Sequence, residues 1–188
     1  GYGGMFRKWL ITETPEPYNS FGNGSAMRVS PCAWVAKSLE EAENLAKKSA
    51  IVTHNHPEGI KGAQAVSAAI YMAKNGGSKK DIKKYITDKY GYNLNRTIDD
   101  IIKSGYRFNE TCQETVPQAI YCFLISKDFE DAIRTGISIG GDSDTLCAIT
   151  GAIAEAYYGI PQEIKEKTLQ YLDDKLLKEY KAFEKKFN

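Results

Sequence analysis

The residues best suited to chemistry lie in one short segment, residues 140–145, which has the sequence Gly-Gly-Asp-Ser-Asp-Thr. The two glycines permit a sharp turn and a close approach of the backbone to a ligand. The residues after them supply two carboxylates, from Asp142 and Asp144, and two hydroxyls. Such hard oxygen donors suit Mg²⁺, Mn²⁺ or Ca²⁺ rather than Zn²⁺ or copper. Because Asp and Thr are also ordinary helix caps, the hexapeptide alone leaves a structural turn open beside a metal site.

A second segment of interest, residues 21–28, has the sequence Phe-Gly-Asn-Gly-Ser-Ala-Met-Arg. Its glycines free several backbone N–H groups, and the Ser25 hydroxyl and the Arg28 guanidinium add donors that together could cradle a phosphate or diphosphate. Phe21 could stack on a base or ribose beside them. The segment is neither the G-x-G-x-x-G fingerprint nor a Walker loop. Taken alone, it also fits a structural glycine turn in which Arg28 forms a salt bridge.

Both histidines of the chain, His54 and His56, lie in a turn that precedes Pro57. Each could hydrogen-bond a ligand or a carboxylate, and each could be an ordinary turn residue beside the proline. We expect a ligand role for His54 before His56. With two histidines and no C-x-x-C spacing, the chain lacks the ligands of a typical zinc site.

Composition bounds the class of protein. The chain has 188 residues, enough for one domain with a substantial core, and 25 Lys+Arg against 24 Asp+Glu give a net charge of +1, which argues against a nucleic-acid surface. No apolar run approaches the roughly 20 residues of a membrane span, and no signal-peptide pattern opens the chain. The four cysteines have no paired spacing and lie mostly in apolar helical patterns. We therefore expect reduced thiols and a cytoplasmic protein.

The elements that must position these residues are all predicted to be helices. Apolar residues recur at helical spacing, no segment shows sustained apolar/polar alternation, and we expect about eight to ten helices in an all-α fold. Helix caps are predicted at Ser38, with a capping box, and at Ser78 and Asp128. The small residues of 146–156 predict a central, buried helix. Further predictions are a loop over 105–116, a helix that starts at Pro117, and one long amphipathic helix after Pro161.

Four stretches, taken together, resemble the ADP-ribosylglycohydrolases, the family of the dinitrogenase reductase activating glycohydrolase and the animal ADP-ribosyl hydrolases. They are residues 21–28, 53–59, 62–64 and 140–154, and the resemblance extends over essentially all 188 residues. It implies a compact all-α bundle and a single, partial domain over residues 1–188. It also implies two Mg²⁺ ions, or Mn²⁺, which activate a water that cleaves ADP-ribose from a modified side chain, with arginine as the expected side chain.

The resemblance assigns roles by position. Asp142, Asp144 and Thr145 correspond to metal ligands, and the two aspartates correspond to catalytic residues. The residues that correspond to the substrate-binding part are Phe21, Gly22, Asn23, Gly24, Ser25, Met27, Arg28 and His54. Within this set, the Asn23-Gly24-Ser25 loop resembles the part that holds the diphosphate, and His54 matches a histidine that contacts ADP-ribose. The implied partners are ADP-ribosylated protein or free ADP-ribose.

The sequence departs from the family at its beginning. Family members carry an N-terminal Gly-Asp-containing helix and a Thr-Asp-Asp motif that supply further metal ligands, and nothing here matches them. From these missing motifs we expect a hydrolase without its N-terminal portion. Because two aspartates offset only half of the +4 charge of two ions, we expect this chain to be weak or inactive by itself. The alternatives are a non-catalytic ADP-ribose binding module and a purely structural helical domain.

Overall fold

The computed structural model describes residues 2–187, and these residues form twelve helices and no strand. This confirms the all-α prediction. The helices are α1 (Gly4–Leu10), α2 (Gly24–Met27), α3 (Ser30–Val35), α4 (Leu39–Ile51), α5 (Pro57–Lys74), α6 (Lys79–Tyr90), α7 (Ile98–Lys103), α8 (Cys112–Ile125), α9 (Phe129–Ile139), α10 (Ser143–Tyr158), α11 (Gln162–Leu169) and α12 (Asp174–Phe187).

Two helices form the centre of the bundle. Helix α5 packs against α2, α3, α4, α6, α8 and α10, and α10 packs against α2, α5, α8 and α9. On α10, Ile149 and Ile153 are fully buried, and burial of each contributes about 1.5–3 kcal/mol. The small residues of α10 thus belong to a central helix, as the sequence predicted, and the turn before it rests on a rigid base.

Side-chain caps begin several of the helices. Ser38, Ser78 and Asp128 each accept a hydrogen bond from the backbone N–H three residues later, as predicted. The reciprocal capping box expected at Ser38 is not formed, because the Glu41 carboxylate accepts from the backbone N–H of Lys37 instead. A complete capping box begins α7, between Thr97 and Asp100. These caps satisfy backbone donors that the helices themselves cannot pair.

The predicted start of α8 at Pro117 is wrong. The helix begins at Cys112, and Pro117 lies inside it. Two backbone hydrogen bonds connect this start to residues 21–28, called the glycine segment below. Cys112 N–H donates to the Phe21 carbonyl (2.9 Å), and Asn23 N–H donates to the Glu110 carbonyl (2.7 Å). Such long-range contacts fix the first turn of α8 ahead of the proline, and a polar local sequence does not reveal them.

The prediction of one long helix after Pro161 is also wrong. Helix α11 ends at Leu169, and α12 starts at Asp174. The Asp173 carboxylate accepts a hydrogen bond from the Leu176 N–H (2.8 Å), which is a local start signal for the second helix. An ion pair between Lys165 and Glu184 joins the two helices.

Two further expectations concern reduced cysteines and the lack of a membrane-spanning segment. Cys32, Cys112, Cys122 and Cys147 are free thiols, as expected from their spacing. Between residues 2 and 187, no helix combines the length and the apolar character that crossing a membrane requires.

Candidate active site

Residues 140–145, called the acidic turn below, connect α9 to α10, and the backbone conformation of this turn requires glycine. Gly140 and Gly141 have φ angles of 76° and 73°, which are strained for other residues. A Cβ on Gly141 would lie 2.6 Å from Cε1 of Tyr106, so the ring also excludes a side chain there. The turn leaves Asp142 at the N-cap position of α10 and Asp144 in its first turn.

Asp142 joins the acidic turn to the glycine segment. Its side chain is buried, and its Oδ2 accepts a hydrogen bond of 2.6 Å from Nδ2 of Asn23. The same Asn23 nitrogen donates to Oγ1 of Thr115 on α8 (3.0 Å). Two stretches separated by more than a hundred residues therefore meet at one buried contact, and the Asn23 side chain is directed at the aspartate.

The two aspartates behave as an electrostatic pair. Burial raises the pKa of Asp142, and the adjacent Asp144 raises it further, although the Asn23 hydrogen bond acts in the opposite direction. The pKa of Asp144 is lowered, first by a hydrogen bond from Asp142 and then by one from the Thr145 backbone. Two carboxylates this close titrate as a pair, and the pKa of Asp142 is the higher of the two. Asp144 is exposed, so its carboxylate faces solvent.

The remaining expected metal ligand, Thr145, lies against the glycine segment. It is buried, and its hydroxyl contacts Sδ of Met27 at 3.7 Å. A thioether is a weak acceptor, so the oxygen of Thr145 keeps its lone pairs for another partner. Met27 itself is half exposed beside it.

The residues that follow Asn23 use their side chains and their backbones differently. The Ser25 hydroxyl is buried and donates to the Gly59 carbonyl (2.8 Å), so it faces the protein interior and not a ligand. The backbone N–H groups of Gly24 and Ser25 open helix α2 and have no acceptor within residues 2–187. A substrate-binding role for Gly24 and Ser25 stays a prediction that rests on these backbone donors.

Arg28 is exposed, and one end of its guanidinium donates hydrogen bonds to other residues of the chain. Its Nη2 atom donates to the Ser49 carbonyl (2.9 Å) and to Oγ1 of Thr53 (3.1 Å). In the part of the chain that is described, no carboxylate forms an ion pair with it, so the salt-bridge alternative is not observed. Its role in holding a phosphate stays a prediction. These two contacts indicate that Arg28 acts on the site through Thr53.

His54 lies beneath the glycine segment. Its ring is buried, its Nδ1 is 2.7 Å from Oγ1 of Thr53, and a Cβ on Gly24 would lie 3.3 Å from its Nε2. A Cβ on Gly22 would lie 3.6 Å from the same atom. Burial, with the charge of Arg28 as a second cause, lowers the pKa of His54 to about 4. The imidazole is therefore neutral at neutral pH.

Phe21 lies at the exposed edge of the glycine segment, whereas His56 and Glu58 make contacts that stabilise the fold. Phe21 is 44% exposed and contacts the ring of His56, with centroids 5.2 Å apart. His56 caps α5, because its Nδ1 accepts from the Glu58 N–H (3.1 Å). Glu58 forms an ion pair with Lys61. The expectation that His54 is the better ligand candidate agrees with these positions.

The donor set fits one side of a hard divalent cation. Asp142, Asp144 and Thr145 carry hard oxygen donors of the kind that Mg²⁺ and Mn²⁺ prefer, and the two aspartates affect each other's pKa as neighbouring like charges do. Across residues 2–187, no group of three or more His, Cys, Asp or Glu side chains is arranged to hold a metal ion. If a cation binds here, these three residues could supply only part of its coordination shell.

Sequence reasoning missed two threonines that position this site. Thr115 is fully buried, accepts from Asn23, and donates to the Asn109 carbonyl (3.1 Å). Thr53 connects Arg28 to His54. The adjacency of Thr53 and His54 was a usable signal. Nothing local in the sequence distinguishes Thr115 from other polar residues of α8.

Comparison with known families and proteins gives a consistent result. Residues 2–186 match the family described as ADP-ribosylglycohydrolase. The ADP-ribosylhydrolase ARH3 of Mus musculus is 30% identical over 220 residues, which cover 86% of this chain and 60% of that protein. The ADP-ribosylarginine hydrolase Tri1 of Pseudomonas putida (strain GB-1) is 29% identical over 161 residues, which cover 78% of this chain and 42% of that protein.

A solved structure agrees with the fold. A chain described as part of an ADP-ribosylglycohydrolase-related protein complex superposes with a TM-score of 0.70 at 24% identity, over 94% of this chain and 64% of that one. The sequence spans 60% and 42% of the two curated relatives. Because the family match extends over nearly the whole sequence, the chain belongs to the ADP-ribosylglycohydrolase family.

Proposed function

We propose that this chain is part of a hydrolase that removes ADP-ribose from modified protein side chains with the help of Mg²⁺ or Mn²⁺. The observation that carries the proposal is the hydrogen bond from Asn23 to Asp142, which brings the acidic turn and the glycine segment together. The names of the relatives support the substrate class, and that of the Tri1 relative supports arginine as the modified residue.

The glycine segment is the proposed site for the diphosphate. This segment contains the unpaired N–H groups of Gly24 and Ser25, and the ring of His54 lies next to it. Backbone donors at the start of a helix suit an anion. Phe21, half exposed at the rim, adds an apolar surface for the nucleoside part. Within this segment, Met27 contacts Thr145 of the acidic turn.

The acidic turn is the proposed site for cleavage. Asp142, Asp144 and Thr145 would hold the cation, which when bound supplies Lewis-acid chemistry and lowers the pKa of a water. Asn23 orients the Asp142 carboxylate toward this position. Asp144, exposed and with a lowered pKa, is ionised near neutral pH and is the proposed acceptor of a proton from the attacking water. The water oxygen forms a bond to the ribose carbon as the bond from that carbon to the side-chain nitrogen breaks. The nitrogen keeps the bonding electrons and takes up a proton, so that ADP-ribose and the unmodified side chain are released.

We also propose that the described residues alone bind the cation weakly. Two carboxylates and a hydroxyl occupy few positions of a six-coordinate Mg²⁺ shell, and no third acidic or His side chain joins them in the described chain. Activity of this chain by itself is therefore proposed to be low.

The test is a hydrolysis assay on this chain with an ADP-ribosyl-arginine peptide and Mg²⁺ or Mn²⁺. We expect slow release of ADP-ribose that is lost in Asp142→Asn and Asp144→Asn and kept in Asp99→Asn, an exposed control. Release that is equal with and without divalent cations would contradict the proposed mechanism. Turnover as fast as that of an intact family member would contradict weak cation binding.

A non-catalytic ADP-ribose binding module is the second candidate. The incomplete ligand set at the acidic turn favours it, because the donors of the glycine segment do not depend on a cation. Calorimetry with ADP-ribose separates the two functions. Binding that is unaffected by chelator, together with no turnover, identifies a binding module.

A further inference from the structure

We infer that Arg28 and Thr53 are positioning residues that fix His54 in the tautomer with its proton on Nε2, the atom that faces the glycine segment. The inference rests on the proposed function only for the identity of the ligand. It assigns Arg28 a role that acts through two other side chains, in place of direct contact with a phosphate.

The hydrogen bond between Arg28 and Thr53 has one possible direction. A guanidinium has donors and no acceptor, so the 3.1 Å contact between Nη2 of Arg28 and Oγ1 of Thr53 makes the threonine oxygen an acceptor. The second Arg28 contact, to the Ser49 carbonyl at the end of α4, holds the guanidinium in this orientation.

The Thr53 hydroxyl needs an acceptor for its proton within the protein. Thr53 is 1% exposed, so its O–H cannot donate to bulk water. Among the residues described, Nδ1 of His54, at 2.7 Å, is the one acceptor within reach that Thr53 contacts. Because buried donors are almost always paired, the hydroxyl donates to Nδ1. Nδ1 therefore carries a lone pair and no proton.

The ring of His54 carries no net charge. His54 is buried and lies near the positive charge of Arg28, which together keep the imidazole neutral. A neutral imidazole has one proton, and with Nδ1 acting as an acceptor this proton resides on Nε2. Nothing in residues 2–187 accepts a hydrogen bond from Nε2.

The consequence is a third neutral donor at the glycine segment. Nε2 lies next to Gly22 and Gly24, close to the N–H groups of Gly24 and Ser25 that also have no acceptor in this part of the chain. The other tautomer would turn a lone pair toward this place and would repel an anionic oxygen. Because a hydrogen bond to a charged group contributes about 1.5–3 kcal/mol, the wrong tautomer weakens anion binding by about tenfold or more.

Nuclear magnetic resonance of the full chain with ¹⁵N-labelled histidine tests the assignment. Protonated and unprotonated ring nitrogens have well-separated ¹⁵N shifts, and only two histidines need to be assigned. His56 is an internal reference, since its Nδ1 accepts from the Glu58 backbone and not from Thr53. At neutral pH we expect His54 as the Nε2–H tautomer. The Nδ1–H tautomer as the major form would overturn the inference.

Three variants separate positioning from packing. Thr53→Val removes the hydroxyl, and Arg28→Met removes the donor that occupies the Thr53 oxygen. In both we expect a second His54 tautomer, unchanged His56 signals, and about tenfold weaker ADP-ribose binding. Thr53→Ser keeps the hydroxyl and loses only a methyl group, so we expect the wild-type tautomer and affinity.

Other outcomes are equally decisive. A purely structural role for Thr53 would lower the unfolding temperature of Thr53→Val without any change of tautomer, and would overturn the inference. If Thr53→Val does not fold, the wild-type spectrum and Arg28→Met still decide. If wild type has the expected tautomer and binds no ADP-ribose, the positioning holds and the proposed function fails.

Discussion

Two acidic side chains are buried within residues 2–187, and their surroundings are opposite. Glu43 on α4 accepts three hydrogen bonds from α6: from Tyr85 (2.7 Å), Tyr90 (2.6 Å) and Lys89 (2.6 Å). Asp142 at the start of α10 accepts one, from Asn23, and its nearest charged neighbour is another aspartate. Burial is similar, at 5% and 7% exposure, so the difference lies in the partners.

The partners set the pKa of each acid in a different direction. Burial alone would raise the pKa of Glu43, but the hydrogen bonds from Lys89, Tyr90 and Tyr85 outweigh it and hold the pKa below the usual value. For Asp142, burial and Asp144 outweigh the Asn23 hydrogen bond and raise the pKa. The first centre is complete without a ligand, whereas the second lacks positive charge. The comparison teaches that the number of partners, and not burial, separates a structural acid from a candidate for function.

The largest expected effect tests the completeness of the Glu43 centre. Glu43→Ala leaves the hydroxyls of Tyr85 and Tyr90 and the Lys89 ammonium without their shared acceptor. Because Lys89 is half exposed and can turn to water, we expect a loss of about 2–3 kcal/mol of unfolding free energy, measured by urea denaturation.

The matched control is Glu163→Ala, whose side chain is 88% exposed and pairs weakly within one helix. It should change the unfolding free energy by no more than about 0.5 kcal/mol. Equal effects of the two substitutions would show that the Glu43 contacts do not stabilise the fold. Hydrolysis or ADP-ribose binding should not depend on Glu43 once the variant is folded.

The second expected effect concerns the turn that holds Asp142. Gly141→Ala combines a left-handed backbone with a Cβ at 2.6 Å from Tyr106, so we expect about 2 kcal/mol of destabilisation and loss of any cation-dependent activity. Gly4→Ala is the control, since nothing lies within 4 Å of a Cβ there and the residue is helical. A stable Gly141→Ala protein with wild-type activity would contradict the dependence of the site on this turn.

The sequence predicted the second centre better than the first. Two glycines and two aspartates in one hexapeptide indicate the turn locally. Local patterns also singled out the segment of Asn23 and the His54 turn, and the resemblance to the family assigned roles to both. Tyr85 and Lys89 share a helix face by their spacing, but nothing in α6 specifies that Glu43, about forty residues earlier, lies opposite. That pairing is set by how α4 and α6 pack around α5.

The same limit explains the errors at helix boundaries. Local caps such as Ser78 and Asp128 give correct starts, because the cap and its N–H partner are three residues apart. The start of α8 depends on backbone contacts with residues 21–23, and no local pattern contains that information. The start of α12 did carry a local signal in Asp173, which the continuous amphipathic pattern obscured.

The third prediction separates stability from function at Asp142, the centre that lacks positive charge. Asp142→Asn keeps an oxygen that can accept from Asn23 and removes the repulsion with Asp144, so we expect a change of no more than about 1 kcal/mol in unfolding free energy. We expect millimolar Mn²⁺ to raise the unfolding temperature of wild type and to leave that of this variant unchanged. Asp99→Asn, exposed on α7, should keep the increase. An unchanged Mn²⁺ response in Asp142→Asn would show that the cation binds elsewhere.

The smallest expected effect is a difference in sign between the two centres as pH falls. The folded pKa of Glu43 lies below its ordinary value of 4.5, so Glu43 stabilises the fold above that pH, and this contribution is lost as the pH falls through the folded pKa. The folded pKa of Asp142 lies above 3.8, so the folded state binds the proton more readily, and Asp142 adds stability as the pH falls from its folded pKa toward 3.8.

Comparing Glu43→Gln and Asp142→Asn with wild type, by urea unfolding from about pH 7 to about pH 3, should therefore give stability differences that shrink on acidification for Glu43 and change in the opposite direction for Asp142. Parallel pH slopes in the two variants would mean that the acids share one environment, and the distinction between a complete centre and one that lacks positive charge would be lost.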